Sequence, residues 1–284
     1  MFAYVLLVLS TVSYAAGLIL QSSAARRVCD SNAVSGLVTR LLSDPRYAAG
    51  FAAQVAGFLF AFYARGTLPV YLVQAAACAA VGVAAVLGAT LFGWPVTRRE
   101  MAVLATLTVA LALLAGAAEP SRITSVPPVT GWVLSVLLLA CVALAPTAWR
   151  MRGAVPLAGL AGAAFAVLAV ASRPLPSLEW TALPLSPLTW LTLAAAGVGQ
   201  FLLAAALQRG STTAAGSAMD AVTMVVASVA GIALVGDQIA PGRASWFGAG
   251  LVLIVGGVLA MARVGTVVTT TAPSDQPIAQ GNAR

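Results

Sequence analysis

Long stretches without a charged residue divide the sequence into segments of membrane-spanning length. A transmembrane helix needs about 20 mostly apolar residues, and a charge at the bilayer centre costs about 2.5–3.5 kcal/mol on insertion scales. The charge-free stretches predict nine transmembrane helices, of which the eighth is interrupted by Asp220. The predicted bounds are residues 2–21, 47–64, 69–92, 101–118, 130–149, 154–172, 188–208, 212–235 and 245–262.

These segments predict helices rather than the strands of a membrane barrel. Apolar and polar residues alternate along barrel strands, whereas residues 133–144 contain a single serine and show no alternation. A helix satisfies its backbone hydrogen bonds within the segment, as the lipid environment requires. The fold class predicted is therefore an all-α polytopic membrane protein, with one transmembrane domain over residues 1–262.

Two segments lie outside the predicted spans. Residues 31–43 carry apolar residues at the spacing of one helical face and are too short to cross a bilayer, which favours an interfacial helix over a plain loop. Residues 263–284 are polar and proline-containing, and we expect a disordered cytoplasmic tail. The first span is expected to be a retained helix because Arg26 and Arg27 follow it and no basic residue precedes it; a cleaved signal peptide is the alternative.

The composition excludes an ordinary soluble domain. Hydrophobic residues make up 61% of the chain and charged residues only 8%, whereas charged residues make up about a quarter of a typical soluble domain. All 15 basic residues are arginines scattered through apolar sequence. They therefore indicate orientation in a membrane rather than a nucleic-acid partner.

The arginines fall unevenly on the two faces of the predicted bundle. Eleven of the 15 lie on one face, and the face that precedes the first span holds the other four: Arg65, Arg122, Arg173 and Arg243. Cytoplasmic connections carry the excess of basic residues in membrane proteins. We therefore expect a protein of the inner (cell) membrane with its N-terminus outside and its C-terminus in the cytoplasm.

The sequence shows no constellation typical of an enzyme. It contains no histidine, the commonest metal ligand and a frequent general base. Its three cysteines, Cys29, Cys78 and Cys141, lack the spacing of a metal site, and no nucleophile–base pair or phosphate-binding loop occurs. We expect neither enzymatic activity nor a cofactor, and the sequence leaves metal binding undecided.

An internal repeat relates the two halves of the chain. Residues 58–67 align with residues 202–211 at a constant offset of 144, and each copy ends a predicted span with Arg-Gly-Thr or Arg-Gly-Ser. The copies end the second and the seventh spans, which are five spans apart. Because five is an odd number, the second copy crosses the membrane in the opposite direction to the first. Inverted repeats are typical of alternating-access transporters. Chance similarity in Ala- and Leu-rich sequence is the alternative.

Short motifs accompany this repeat: Leu20-Gln21, Leu68 to Gln74, Ala206 to Gly210 and Met219 to Val222. With nine spans and a surface helix after the first, they make the chain resemble the drug/metabolite transporter superfamily, and within it the NIPA-like and actinobacterial multispanning branch. The resemblance implies an inverted-repeat carrier, with magnesium as one candidate cargo. The chain departs from the family pattern at Ala75, Gly93-Trp94 and Gly236-Asp237, where the family commonly has proline or Gly-Glu.

Asp220 is the acidic residue within a predicted span. It lies about 13 Å from the start of its helix at 1.5 Å per residue, which predicts a position near the midplane. Ser217 and Thr223 lie on the same side of the helix. We expect Asp220 to face protein or water and to bind a cation or exchange a proton. A protonated aspartate that holds two helices together is the alternative.

Four further polar residues within the spans are candidate walls of a cavity between the halves. They are Tyr14, Gln54, Gln74 and Gln200. Their side chains donate and accept hydrogen bonds, which suits either a ligand or tight helix packing. The acidic residues in the predicted external connections, Glu119, Glu179 and Asp237, are expected to be solvated.

The function favoured by these features is an integral membrane transporter that moves a small solute by alternating access, with Asp220 as the coupling or cation-binding acid. One alternative is a magnesium or other divalent-cation transporter, and another is a non-transporting cell-envelope subunit or lipid-handling protein. The expected partners are the lipid bilayer and a small-molecule or cation substrate, with a homodimer or a membrane partner subunit left open.

Overall fold

The computed structural model describes residues 1–29, 44–92, 98–121, 126–151, 153–209 and 212–270, and most of them are helical. The long helices of these residues are α1 (Phe2–Cys29), α2 (Pro45–Arg65), α3 (Val70–Phe92), α4 (Arg98–Ala117), α5 (Pro128–Arg150), α6 (Val155–Ala171), α7 (Pro187–Leu207), α8 (Thr212–Ala230) and α9 (Ala244–Thr270). A π-helical turn over Gly231–Val235 extends α8, and 3₁₀ turns at Leu175–Ser177 and Leu183–Leu185 connect α6 to α7.

Seven helices in the described part of the chain are long and apolar enough to cross a membrane. They are Phe2–Gln21, Pro45–Arg65, Val70–Gly88, Pro128–Arg150, Val155–Ser177, Pro187–Leu207 and Ala215–Val235. The apolar stretches of α4 and α9, Met101–Ala117 and Ala244–Ala260, are shorter. Both stretches lie within longer helices, Arg98–Ala117 and Ala244–Thr270. The all-α, polytopic part of the prediction is thus confirmed, and seven of the nine predicted spans are long and apolar enough within the described residues.

Prolines begin several of these helices. Proline lacks an N–H group and has a helical φ angle, so it suits the first helical turn, where the N–H has no helical partner. Pro45, Pro128 and Pro187 are the first residues of α2, α5 and α7. Asp44 caps α2 by accepting a hydrogen bond from the Arg46 N–H at 2.8 Å.

The first and last helices are longer than predicted. Helix α1 continues to Cys29 instead of ending at residue 21, and α9 continues to Thr270 instead of ending at residue 262. No proline interrupts residues 22–29 or 263–270, and the next one after α9 is Pro273. The predicted interfacial helix at residues 31–43 and the rest of the predicted tail lie outside the described residues.

The helices pack in a pattern that recurs five helices later. Helix α1 packs against α2 and α3, α2 against α3, and α3 against α4; in the same way α6 packs against α7 and α8, α7 against α8, and α8 against α9. The two groups of four meet where α3 packs against α8 and α4 against α9. We call the α3–α8 contact the central seam.

Four connections meet at one end of the bundle. Two-residue strands β1 (Ala118–Glu119) and β2 (Gln238–Ile239), which follow α4 and α8, pair antiparallel there. Arg173, which follows α6, binds Asp237 after α8 and the carbonyl oxygen of Arg65 at the end of α2. We call this the Arg173 end. At the opposite end, Arg209 after α7 donates to the Trp149 carbonyl near the end of α5.

Candidate functional site

Asp220 lies on α8 beside the central seam. Its neighbours Ala221 and Met224 belong to the same buried cluster as Ala76 and Cys78 of α3. The Cys78 thiol is within electrostatic range of the Asp220 carboxyl. Asp220 is partly buried and forms no ion pair with any residue that the structure describes. The seam therefore holds a carboxyl group whose charge no described side chain neutralises.

Asp220 lies within α8, away from both of its ends. Helix α8 and its π-helical turn run from Thr212 to Val235. At 1.5 Å per residue, Asp220 lies about 12 Å from Thr212 and about 22 Å from Val235. The carboxyl is therefore well inside the helix, on the side of its centre that faces the Arg209 end.

Three other predicted residues lie on the helices that form the seam. Gln74 is partly buried on α3, four residues before Cys78 and so on the same helix face. Ser217 and Thr223 are buried on α8. The Thr223 hydroxyl lies 3.0 Å from the Gly162 carbonyl oxygen of α6 and 2.8 Å from that of Met219, so it holds α8 against α6.

That α6–α8 contact leaves no space at Gly162. A Cβ atom at this position would overlap the Met219 carbonyl oxygen. Glycine allows the two helix backbones to approach closely enough for the Thr223 hydrogen bond, a common device between membrane helices. Thr223 therefore has a packing role in this structure.

The remaining predicted residues are not brought to Asp220. Gln54 packs its side chain against Gly17 in the α1–α2 interface. Gln200 is exposed on the outer surface of α7, so it does not line an interior wall in this structure. Tyr14 packs against Gly57 of α2 and lies within electrostatic range of Arg65.

A buried polar cluster, which the sequence did not predict, closes the Arg173 end. Arg173 and Asp237 form an ion pair, with Nε donating to Oδ1 at 3.1 Å, and both side chains are fully buried. The Val70 N–H at the start of α3 donates to the other carboxylate oxygen at 2.6 Å. Arg173 also donates to the carbonyl oxygens of Arg65 and Ser121. One guanidinium thus links the connections that follow α2, α4, α6 and α8.

The prediction that Asp237 is a solvated connection residue is wrong, since only 3% of it is exposed. Gly236 adopts the left-handed conformation, with φ of +80°, and so turns the chain sharply at the end of the π-helical turn. Burial raises the pKa of the Asp237 carboxyl, although the Arg173 guanidinium and the Val70 N–H oppose the rise. By contrast, Glu179 is exposed as predicted, and Glu119 is partly buried in β1.

A signal for this cluster is present in the sequence. Arg173 and Asp237 each follow a predicted span directly, and the count of spans places both on the same face. Opposite charges at one end of a bundle are able to pair. The pairing itself depends on the left-handed turn at Gly236 and on the approach of α3, which the residue pattern does not specify.

Within the described ranges, no three His, Cys, Asp or Glu side chains come together in a way that could hold a metal ion. An open apolar groove runs between α4 and α9, lined by Val103, Thr106, Val252 and Gly256 among others.

Comparisons with protein-family models, with curated proteins and with solved structures find no match for this chain. Its function is therefore inferred from its residues and their packing.

Proposed function

We propose that this chain is an integral membrane transporter that moves a small solute by alternating access, with Asp220 as the coupling or cation-binding acid. The observation that carries the proposal is the matched packing of two four-helix groups that meet at a seam beside an aspartate without a described ion-pair partner. Transporters built from inverted repeats place their sites between the repeats.

The relation between the two groups supports an inverted repeat. Equivalent helices are five apart along the chain, which is an odd number, so equivalents run in opposite directions through the membrane. Arg65 ends α2 in the cluster at the Arg173 end, whereas Arg209 follows α7 at the opposite end. These are the two positions that the internal repeat aligns. The resemblance to the drug/metabolite transporter superfamily agrees with this architecture.

The environment of Asp220 supports a functional role over a purely structural one. Ionisable residues inside a membrane bundle are costly, and they typically mark the path of an ion, a proton or a substrate. A structural acid is expected to have a firm partner, as Asp237 does. Asp220 is partly buried, and no described residue pairs with it, so its carboxyl is available to bind a cation or to exchange a proton.

The arginine distribution sets the proposed orientation. The arginine-poor face, which includes Arg65 and Arg173, corresponds to the Arg173 end and is placed outside the cell. The structure would then be closed toward the outside by the Arg173 cluster. Asp220 lies in the opposite half of α8, which is placed toward the cytoplasm.

A flux assay in proteoliposomes tests the proposal. Vesicles containing the full chain and a pH-sensitive dye are exposed to a panel of small amines, amino acids and Mg²⁺. Wild-type vesicles are expected to take up at least one compound of the panel, or to move protons when it is added. Asp220→Asn is expected to reduce that flux at least tenfold. Glu179→Gln, which alters an exposed acid, serves as the control.

Equal fluxes for wild type and Asp220→Asn would remove the role of Asp220, and no flux with any panel member would count against transport. Movement of Mg²⁺ alone would favour the divalent-cation alternative.

A further inference from the structure

Arg65 carries its charge into the interior of the bundle. It is the last residue of α2, and helical side chains tilt toward the N-terminus of their helix. Its guanidinium carbon lies 5.9 Å from the ring centroid of Phe58, seven residues earlier. The charged group therefore points back along α2 into the protein rather than out to solvent, and only 5% of Arg65 is exposed.

The contacts of this guanidinium cross between the two helix groups, and none of the described residues supplies it with a countercharge. Its Nη1 donates to the Ser172 hydroxyl at the end of α6 at 3.1 Å. The Tyr14 hydroxyl of α1 is within electrostatic range. Its Nε is buried and has no hydrogen-bond acceptor in the described part of the chain. Asp237 pairs with Arg173 instead.

Such an arrangement is unusual for a residue with a purely structural role. A guanidinium stays protonated in proteins, so it cannot escape burial by losing its charge. Burying a charge is costly unless it is paired and hydrogen-bonded, and the great majority of buried polar groups have a partner. The planar guanidinium suits carboxylates and other anions, to which its N–H groups donate short, charge-assisted hydrogen bonds.

We propose that Arg65, together with the Tyr14 hydroxyl, forms a binding site for a small anionic group. The group is either a free anion of the chloride type or the carboxylate of a small solute, which share the same hydrogen-bonding chemistry with a guanidinium. The site lies where α1, α2 and the end of α6 come together. Its occupation does not depend on transport, so this inference goes beyond the proposed function.

Thermal unfolding of the purified full chain in detergent tests the site. Unfolding midpoints are measured at constant ionic strength while the anion of MES, a bulky sulfonate buffer without a carboxylate, is replaced by chloride or by acetate. A bound anion stabilises the folded state by mass action, so the wild-type midpoint is expected to rise saturably with one of them. A saturable rise of the midpoint with chloride alone identifies the ligand as a free anion, and a saturable rise with acetate identifies it as a carboxylate.

Two substitutions at the same end of the bundle localise the effect. Arg65→Gln is expected to abolish the saturable rise. Arg243→Gln is expected to retain it, because Arg243 is an exposed arginine that donates to the Gly116 carbonyl and lies over the Trp246 ring. Equal responses in both variants, or no saturable response in wild type, would overturn the proposal.

A milder variant covers the case in which Arg65→Gln does not fold. Tyr14→Phe keeps the ring that packs against Gly57 and removes only the hydroxyl. We expect it to weaken the apparent anion affinity roughly threefold to tenfold, the effect of about one hydrogen bond. An unchanged affinity would remove Tyr14 from the site, and an unchanged affinity together with a non-folding Arg65→Gln would contradict the proposal. A negative flux assay leaves this binding measurement intact.

Discussion

The two aspartates of the α8 region have opposite environments. Asp237 follows the helix and is fully buried, with its carboxylate held by the Arg173 guanidinium and the Val70 N–H. Asp220 lies within the helix, is partly buried, and has no ion-pair partner among the described residues. The charges at the Arg173 end therefore hold helix ends together, whereas the carboxyl at the central seam has no described ion-pair partner.

The same contrast separates the two buried arginines. Arg173 contacts a carboxylate and two carbonyl oxygens, whereas Arg65 contacts a hydroxyl and keeps a buried N–H without a described acceptor. The two arginines are similarly buried but differ in the number and the charge of their described partners.

Removing the carboxylate at the Arg173 end is expected to have the largest effect. Asp237→Asn keeps the shape of the side chain but leaves the fully buried Arg173 guanidinium without its countercharge. Breaking a buried ion pair from one side costs about 3–5 kcal/mol. The free energy of unfolding in detergent is expected to fall by that amount, whereas Arg243→Gln is expected to change it by less than about 1 kcal/mol. Comparable losses in the two variants would contradict the structural role of the pair.

Removing the guanidinium is expected to cost less and to depend on pH. In Arg173→Gln, burial still raises the pKa of Asp237, and the positive charge that opposed the rise is gone. The Asp237 carboxyl is therefore able to take up a proton in the folded state of Arg173→Gln. The Arg173 guanidinium left by Asp237→Asn has no such escape, because an arginine does not lose its proton in proteins.

The sign of this pH dependence follows from linkage. A raised folded-state pKa contributes stability that is fully present below the unfolded value of about 3.9 and is lost as the pH rises through the folded value. The stability deficit of Arg173→Gln relative to wild type is thus expected to grow with increasing pH, as measured by denaturant titration between pH 4 and pH 8. A deficit that is constant over this range would show that the ion pair does not govern the loss.

The smallest stability effect is expected at the central seam. Asp220→Asn removes a carboxylate that no described residue pairs with, so the free energy of unfolding is expected to change by less than about 1 kcal/mol, as for other substitutions that break no buried network. A loss of flux in Asp220→Asn without a loss of stability would then show that Asp220 acts in transport and not in holding the fold together. A loss of several kcal/mol would identify Asp220 as a structural residue like Asp237.

Sequence reasoning located Asp220 because a charge within a long apolar stretch is conspicuous, and it placed Ser217, Thr223 and Gln74 on the same or the neighbouring seam helix. It was less successful where the outcome depended on packing. Gln200 looks equivalent to Gln74 in the sequence, yet one is exposed and the other is partly buried. An all-apolar pattern does not show which face of a helix packs against its neighbours, because such a helix has no polar face that would mark the side turned away from them.

The sequence by itself determined which segments are helical and apolar and which end of the bundle carries more arginines, because transfer into a membrane depends on local composition and length. The tertiary structure decided which charges are paired. Arg173 and Asp237 are 64 residues apart, and Arg65 and Ser172 are 107 apart. The environment of a buried charge depends on groups that only the folded chain brings within hydrogen-bonding distance, and those distances determine whether the charge stabilises the fold or remains free to bind.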